Sequence, residues 1–355
     1  MNNPLQTAND SLPDKGVGPV AGDEHIMHAK PEWTTGDYLG AIGVRLNFRR
    51  MQYRVTPGLY TLGTPGPDAP VFVSANYKFS FDHLRRALVG LDGWILVLDT
   101  KGINVWCAAG KGTFGTDELI RKIGECHLLE RVTHRRLILP QLGAPGIAAH
   151  KVRKQTGFAV IYGPVYATDI PAFLQANLQA TPAMRRVHFR WFERLIVAPV
   201  EIALYRKELF LGGLALAILA CLPTAGASWS TLWQRSGPVF LLWLVTSGLA
   251  IFLGPLLLPW LPTRAFSIKG ASLGLALALC SLGLLGPDWT RLRSVAWVLL
   301  LSAAASYLLL NFTGSTTFTS PSGVRREVRL ALPMQIVIGA VGLTAWTAAG
   351  FLPTW

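Results

Sequence analysis

Cysteine is scarce. The 355-residue chain has four, Cys107, Cys126, Cys221 and Cys280, too scattered to imply a disulfide framework, so a reducing compartment is the natural setting. No Cys-x-x-Cys-x-x-Cys run occurs, which excludes an iron–sulfur cluster bound by the familiar spacings. Residues 1–31 are polar and lack an apolar run, which excludes the h-region of a signal peptide. Charge is thin as well: 15% of residues are charged, with 33 basic against 20 acidic for a net charge of +13. A basic balance invites nucleic acid, yet the first half has no known nucleic-acid motif and no basic stripe interleaved with aromatics. Basic residues flanking membrane spans account for the charge more simply.

What is abundant is apolar surface. Hydrophobic residues make up 51% of the chain and its mean hydropathy is +0.36, with most of the excess after Leu209. The length allows two domains. Residues 1–32 read as a disordered tail rich in Asn, Asp, Gly and Pro. Residues 33–183 alternate strands with short helices, the pattern of a parallel α/β sheet. Strand pieces are expected at 54–55 and 59–62, and strands at 71–77, 94–99, 136–139 and 158–162. Helices are expected at 82–89, capped by Asp82 or Ser80, from 116, at 147–154 and at 170–178.

Residues 184–208 are basic, with Arg185, Arg186, Arg190, Arg194, Arg206 and Lys207 beside Trp191, Phe192 and Tyr205. They read as an interfacial helix or linker at a membrane surface. Residues 209–355 hold five apolar segments, 209–222, 238–258, 270–285, 295–310 and 332–351, read as five transmembrane helices. Small residues such as Gly212, Gly274 and Ala304 suit tight helix contacts. On one side the loops carry Arg264, Lys269, Arg325, Arg326 and Arg329; on the other, Arg235, Arg291 and Arg293. With the basic linker, this bias puts the α/β domain in the cytoplasm and the C-terminus across the plasma membrane. The loop 311–324, rich in hydroxyls and glycine, falls on the cytoplasmic side and either faces the α/β domain or is a flexible connector.

The chemistry centres on Gly102-Ile103-Asn104-Val105-Trp106-Cys107-Ala108-Ala109-Gly110-Lys111-Gly112, which follows the apolar strand 94–99. Ligands in open α/β sheets sit outside the carboxyl ends of such strands. Asn104 is a good N-cap, which makes Cys107 the third helical residue, where free amides and the helix dipole favour thiolate. Cys107 is then a metal ligand or a nucleophile, or else a small buried hydrophobe. A phosphate loop is excluded, because Val105 and Gly112 stand where glycine and a hydroxyl are needed. A zinc or thioredoxin-type site is disfavoured, since the nearest second ligands, Cys126 and His127, lie a helix away. The loops 140–146 and 163–166 would flank the same crevice.

The string NVWCAAGKG resembles the signature of the HgcA family of mercury-methylating corrinoid proteins and, through it, the corrinoid domain of corrinoid iron–sulfur proteins. The resemblance implies a Rossmann-like α/β domain fused to a membrane domain, and a cobalamin-type corrinoid with the Cys107 thiolate as lower axial ligand to cobalt. The implied corrinoid-binding residues are Ser74, Ser80, Asn104, Val105, Trp106, Cys107, Ala108, Ala109, Gly110 and Lys111. Asn104 would position the segment by capping. Trp106 either stacks near the corrin or packs in the core, and Lys111 either contacts a corrin side chain or is solvated.

The implied reaction moves a methyl group from methyl-Co(III) to Hg(II). A soft, strongly donating thiolate stabilises Co(III), so the methyl leaves with both bonding electrons to a soft electrophile. Return to Co(I) needs two low-potential electrons from a ferredoxin-like iron–sulfur partner, which the family supplies as HgcB. The implied methyl donor is a methyltetrahydrofolate-linked protein. The competing readings are a corrinoid methyl carrier for another acceptor, and a transporter-like protein with a regulatory soluble domain. The second is disfavoured by spans nearly free of ionisable residues, with Arg264 and Lys269 read as loop residues.

Overall fold

Val71–Ala75 and Gly93–Leu98 are buried at every position, and a seven-stranded sheet extends to either side of them. The structure is a computed structural model that describes residues 17–20, 23–224, 226–285, 289–313 and 321–352. The chain divides into two units, Met1–His188 and Phe189–Trp355.

In chain order, the first unit contains β1 (Val17–Val20), β2 (Asp23–Ala29), α1 (Thr35–Arg45), β3 (Gly58–Leu62), β4 (Val71–Ala75), α2 (Lys78–Ala87) and β5 (Gly93–Leu98). It continues with α3 (Val105–Lys111), α4 (Thr116–Glu125), α5 (Leu128–Arg131), β6 (Arg136–Leu139), α6 (Ala149–Thr156), β7 (Ala159–Tyr162) and α7 (Ile170–Gln175). The strand order is β1-β2-β3-β5-β4-β6-β7. Each residue of β4 faces one of two cores. Val71, Val73 and Ala75 join Ala108, Ala109 and Phe114 on one side. Phe72 joins Phe81, Leu84 and Phe173 on the other.

The sheet is mixed rather than parallel. β5, β4, β6 and β7 run parallel, whereas β3 pairs with β5 antiparallel. The reason lies in the connections. A parallel return needs a crossover of a dozen or more residues, which α2, the α3–α5 segment and α6 supply. Residues 63–70, between β3 and β4, hold no helix and are too few for such a crossover.

The expected tail over 1–32 is also shorter than its composition suggested. β2 pairs in parallel with β3, Ile26 opposite Leu59 and Ala29 opposite Leu62, and Ala29 is fully buried. Its polar members disguised it: His28 Nδ1 lies 3.1 Å from the Thr61 hydroxyl.

α2 begins at Lys78, four residues before the expected cap at Asp82, and Ser80 lies in its first turn rather than at its cap. Asp82 instead belongs to a buried ion network. Lys78 Nζ stands 2.7 Å from Asp37 and 3.0 Å from Asp82. Arg85 stands 2.7 Å from each of the same two carboxylates. Arg85 also donates to the Lys30 and Glu32 carbonyls, so two acids and two bases tie α1, α2 and the chain after β2 together. Burial alone pushes the Asp37 carboxyl up. Lys78, the Thr34 amide and Arg85 outweigh that and hold it well below the usual carboxylate range.

The second unit is five helices: α8 (Trp191–Cys221), α9 (Trp229–Leu257), α10 (Phe266–Leu285), α11 (Arg291–Phe312) and α12 (Pro321–Phe351). Four of them, α9 to α12, are long and apolar enough to cross a membrane. α8 is long, but Arg206, Lys207 and Glu208 interrupt it and leave only 209–221 apolar, short of the roughly 20 residues a span needs. The basic stretch, read as a helix or a linker, is helical from Trp191 onward and there forms the first half of α8. Lys269 is a helix residue and not a loop residue. It sits buried in the first turn of α10 and donates to the Leu258 and Leu261 carbonyls, both at 2.7 Å, satisfying acceptors left free at the end of α9. Gly270 and Gly274 let α10 approach α11 closely, since added Cβ atoms would meet Ala305 O at 2.3 Å and Leu301 O at 2.6 Å. Half of the hydroxyl-rich loop, residues 314–320, lies outside the described residues.

Arg85→Met leaves two carboxylates buried against one ammonium, and the expected loss is about 3–5 kcal/mol, read from the urea midpoint in detergent. The depressed Asp37 contributes its stability fully above pH about 4 and loses it as pH falls toward the folded-state value. Asp37→Asn should therefore flatten the acid limb of the pH–stability curve.

Candidate functional site

From β4 the chain crosses to β5 on one side through α2, and from β5 it returns past β4 to β6 through α3–α5. The order thus reverses between the carboxyl ends of β4 and β6, the position where open α/β sheets leave a crevice. Asn76, residues 99–111 and residues 140–146 all lie at that end.

The turn after β5 is held from β4. Asn76 is 1% exposed, and its Oδ1 accepts from the amides of Thr100 at 3.1 Å and Gly102 at 3.0 Å. Its Nδ2 donates to Asp99 Oδ1 at 3.1 Å. Two backbone donors on one atom identify that atom as the amide oxygen. The Thr100 hydroxyl, with one proton, lies 2.9 Å from Asn76 Oδ1 and 2.6 Å from the Ile103 carbonyl. Lys101 and Gly102 are both left-handed, with φ of 57° and 74°, a conformation unfavourable for Lys101 without outside support. A Cβ on Gly102 would stand 2.7 Å from the Met51 carbonyl oxygen, so glycine is required there twice over.

α3 starts where the sequence places it. Asn104 is the N-cap, its Oδ1 accepting from the Cys107 amide at 2.9 Å, so Cys107 is the third helical residue. The helix has two unlike faces. Ala108 and Ala109 are buried in the core; Trp106, Cys107, Gly110 and Lys111 are exposed, and Val105 is half-buried. At 41% exposure the Trp106 ring is not a core side chain. The inner face rests on residues 141–146. A Cβ on Gly146 would meet Phe114 O at 2.1 Å and Ala109 Cα at 3.1 Å, and one on Gly143 would meet Phe114 Cε1 at 2.6 Å.

The residues from Asn104 to Lys111 thus form one continuous feature. Ser74 and Ser80 do not join it. Ser74 is buried within β4, and strand alternation turns it with Phe72 toward α2 and α7, away from α3. Ser80 is on α2 itself. Among the described residues, no three of His, Cys, Asp and Glu stand together as a metal cage. Cys126 is half-buried at the end of α4, where burial pushes its thiol up. The Thr113 hydroxyl, just past α3, is buried without a hydrogen-bond partner.

Residues 46–174 match the family model described as CO dehydrogenase/acetyl-CoA synthase delta subunit. The chain is 34% identical over 130 residues to the acetyl-CoA decarbonylase/synthase complex subunit gamma of Archaeoglobus fulgidus, covering 36% of this chain and 27% of that one. It is 29% identical over 127 residues to the corrinoid/iron-sulfur protein large subunit of Moorella thermoacetica, covering 35% and 28%. The matched domain of the first unit is similar in sequence to the corrinoid/iron–sulfur protein large subunit. The chain spans little more than a quarter of the length of these relatives.

Within that domain, sequence reasoning found the exposed helix but missed what supports it. An amide directly after an apolar strand (Val71-Phe72-Val73-Ser74-Ala75-Asn76) was the available signal for Asn76. Gly143 and Gly146 pass for ordinary turn residues until α3 is seen resting on them. Gly146→Ala should cost about 1–3 kcal/mol in urea unfolding, because backbone must move. Gly110→Ala, with nothing within 4 Å of the new Cβ, should leave stability unchanged or raise it by about 0.5–1 kcal/mol.

Proposed function

We propose that the first unit carries a corrinoid over the outer face of α3 and passes a methyl group to Hg(II). The observation that carries this reading is Cys107, an exposed thiol on a helix of small residues, inside a corrinoid/iron–sulfur protein-like domain. The donor set fits the cofactor. One soft sulfur with no ligating neighbours suits a metal whose other positions are filled by a macrocycle, and does not suit a free ion. Gly110 leaves the surface beside Cys107 open to a flat ligand, and the unpartnered Thr113 hydroxyl follows three residues later.

When bound, the corrinoid supplies a cobalt centre able to carry a methyl group and release it. In this reading Cys107 would hold the cobalt through its sulfur. As a soft, strongly donating thiolate it would favour release of a methyl group to a soft electrophile such as Hg(II). Asn104 holds the Cys107 amide and with it the first turn of α3. Val105, Ala108 and Ala109 anchor that turn to the core, while Trp106 and Lys111 stand where they meet the corrin rim. Ser74 and Ser80, on the α2 side, are left to a cofactor tail that reaches past β4.

Electrons for the next cycle come from a separate ferredoxin-like iron–sulfur protein, since this chain has no cluster spacing of its own. The methyl donor is a methyltetrahydrofolate-linked protein. The second unit is a plasma-membrane anchor in which residues 209–221 of α8 join α9–α12 as a fifth span, with the first unit cytoplasmic and the C-terminus outside. A reporter fused at the C-terminus should therefore be active only if it requires export; activity of a cytoplasmic reporter there overturns the five-span topology.

The deciding test compares the wild-type protein with Cys107→Ala after reconstitution with a corrinoid. The expected result is a cobalt–thiolate absorption present in the first and absent in the second, with Hg(II) methylation by membranes lost in parallel. A corrinoid spectrum that ignores the substitution removes Cys107 as the ligand. A wild-type protein that binds no corrinoid removes the function.

A further inference from the structure

We propose that Asn76 is the positioning residue of this site: its side-chain amide sets where the Cys107 sulfur stands, without touching it. The inference deepens the corrinoid reading and rests on it for the purpose of the positioning, although the latch itself is a property of this chain alone.

Asn76 lies at the end of β4, not on the segment it controls. Its own backbone is fixed by the sheet edge, its amide donating to Leu98 O at 3.0 Å and its carbonyl accepting from the Val55 amide at 2.9 Å. The side chain reaches across to the next strand's turn and contacts three successive points of it, Asp99, Thr100 and Gly102. Two of those contacts, at Thr100 and Gly102, flank Lys101, the first of the two left-handed residues. A buried acceptor that satisfies two backbone donors is costly to remove, because both donors are then left without partners away from water.

Downstream, α3 is held from below by the packing of Ala108 and Ala109 into the core, and the turn fixes where that helix begins. From Gly102 the chain reaches Asn104 through Ile103, and Asn104 then holds the Cys107 amide, so the position of the sulfur is inherited from the turn. Asp99 is itself braced, its carboxylate accepting from the Lys101 amide at 3.0 Å and its amide donating to Glu118 at 2.8 Å. The latch thus has one polarity, with an amide on β4 and a carboxylate on the turn. Other polar residues nearby each reach a single part of the turn; Asn76 alone of the described residues is bonded both to Asp99 and to Gly102.

The test uses the full chain in detergent with three variants. Asn76→Leu removes the latch. Asn76→Asp keeps the acceptor oxygen but sets a carboxylate against Asp99. The double variant Asn76→Asp/Asp99→Asn exchanges the two groups and rebuilds the pair with donor and acceptor reversed. Two readouts are taken: hydrogen–deuterium exchange of the peptide spanning residues 98–107 without corrinoid, and the fraction of bound corrinoid that shows cobalt–thiolate absorption. In the single variants we expect exchange at least about tenfold faster in that peptide, together with bound corrinoid that loses the thiolate signature. In the double variant we expect both to return toward wild type.

Exchange and thiolate fraction unchanged in Asn76→Leu overturn the proposal, as does a double variant no better than Asn76→Asp. If Asn76→Leu does not fold, the comparison of the Asp variant with the double variant decides alone. A wild-type spectrum without thiolate ligation overturns the ligand reading instead, and the exchange data then show whether the latch exists.

Discussion

The candidate site depends on one buried amide. A turn with two consecutive left-handed residues has no reason of its own to keep its shape, and the helix that follows is only seven residues long. Isolated helices of that length are unstable. Asn76 supplies the fixed point, because it is held by the two central strands and is fully enclosed. The turn, the cap at Asn104 and the first turn of α3 are each positioned by the element before, and the series begins at a side chain on β4.

Support from below complements this grip from the side. α3 presents alanines inward against the 141–146 segment, where Gly146 lets backbone approach backbone and Gly143 makes room for the Phe114 ring. That leaves its outer face free to be small, soft and open. The same two strands that bury Val73 and Leu96 therefore determine where an exposed thiol stands. Ordinary core packing and an unusual surface are produced by one arrangement, and the order reversal between β4 and β6 is what leaves room above it.

Elsewhere the chain manages buried charge by pairing it. In the first unit Asp37, Lys78, Asp82 and Arg85 are enclosed together, and each charge meets opposite ones at hydrogen-bond distance. In the second unit Lys269 turns its ammonium onto the carbonyls that end α9. Both arrangements join elements that the hydrophobic pattern alone would leave unconnected.

Local chemistry determined a good deal of this protein. Asn104 as a cap, Cys107 at the third helical position, the strand 136–139, the start of α4 at Thr116 and the apolar character of the second half all follow from short-range rules about capping, alternation and hydropathy. What those rules could not reach depends on partners distant in sequence. The antiparallel β3 arises because residues 63–70 are too few to cross over, and the polar strand β2 is recognisable only beside β3. Asp82 reads as a cap until Asp37 and Arg85 surround it. Ser74 enters only through the resemblance, and the pleat turns it with Phe72 toward the other core. Asn76, 31 positions before Cys107 in the numbering, has no local signature beyond an amide that follows an apolar strand, because a hydrogen bond across two strands leaves no periodicity in the chain; only the tertiary structure brings its amide to the turn.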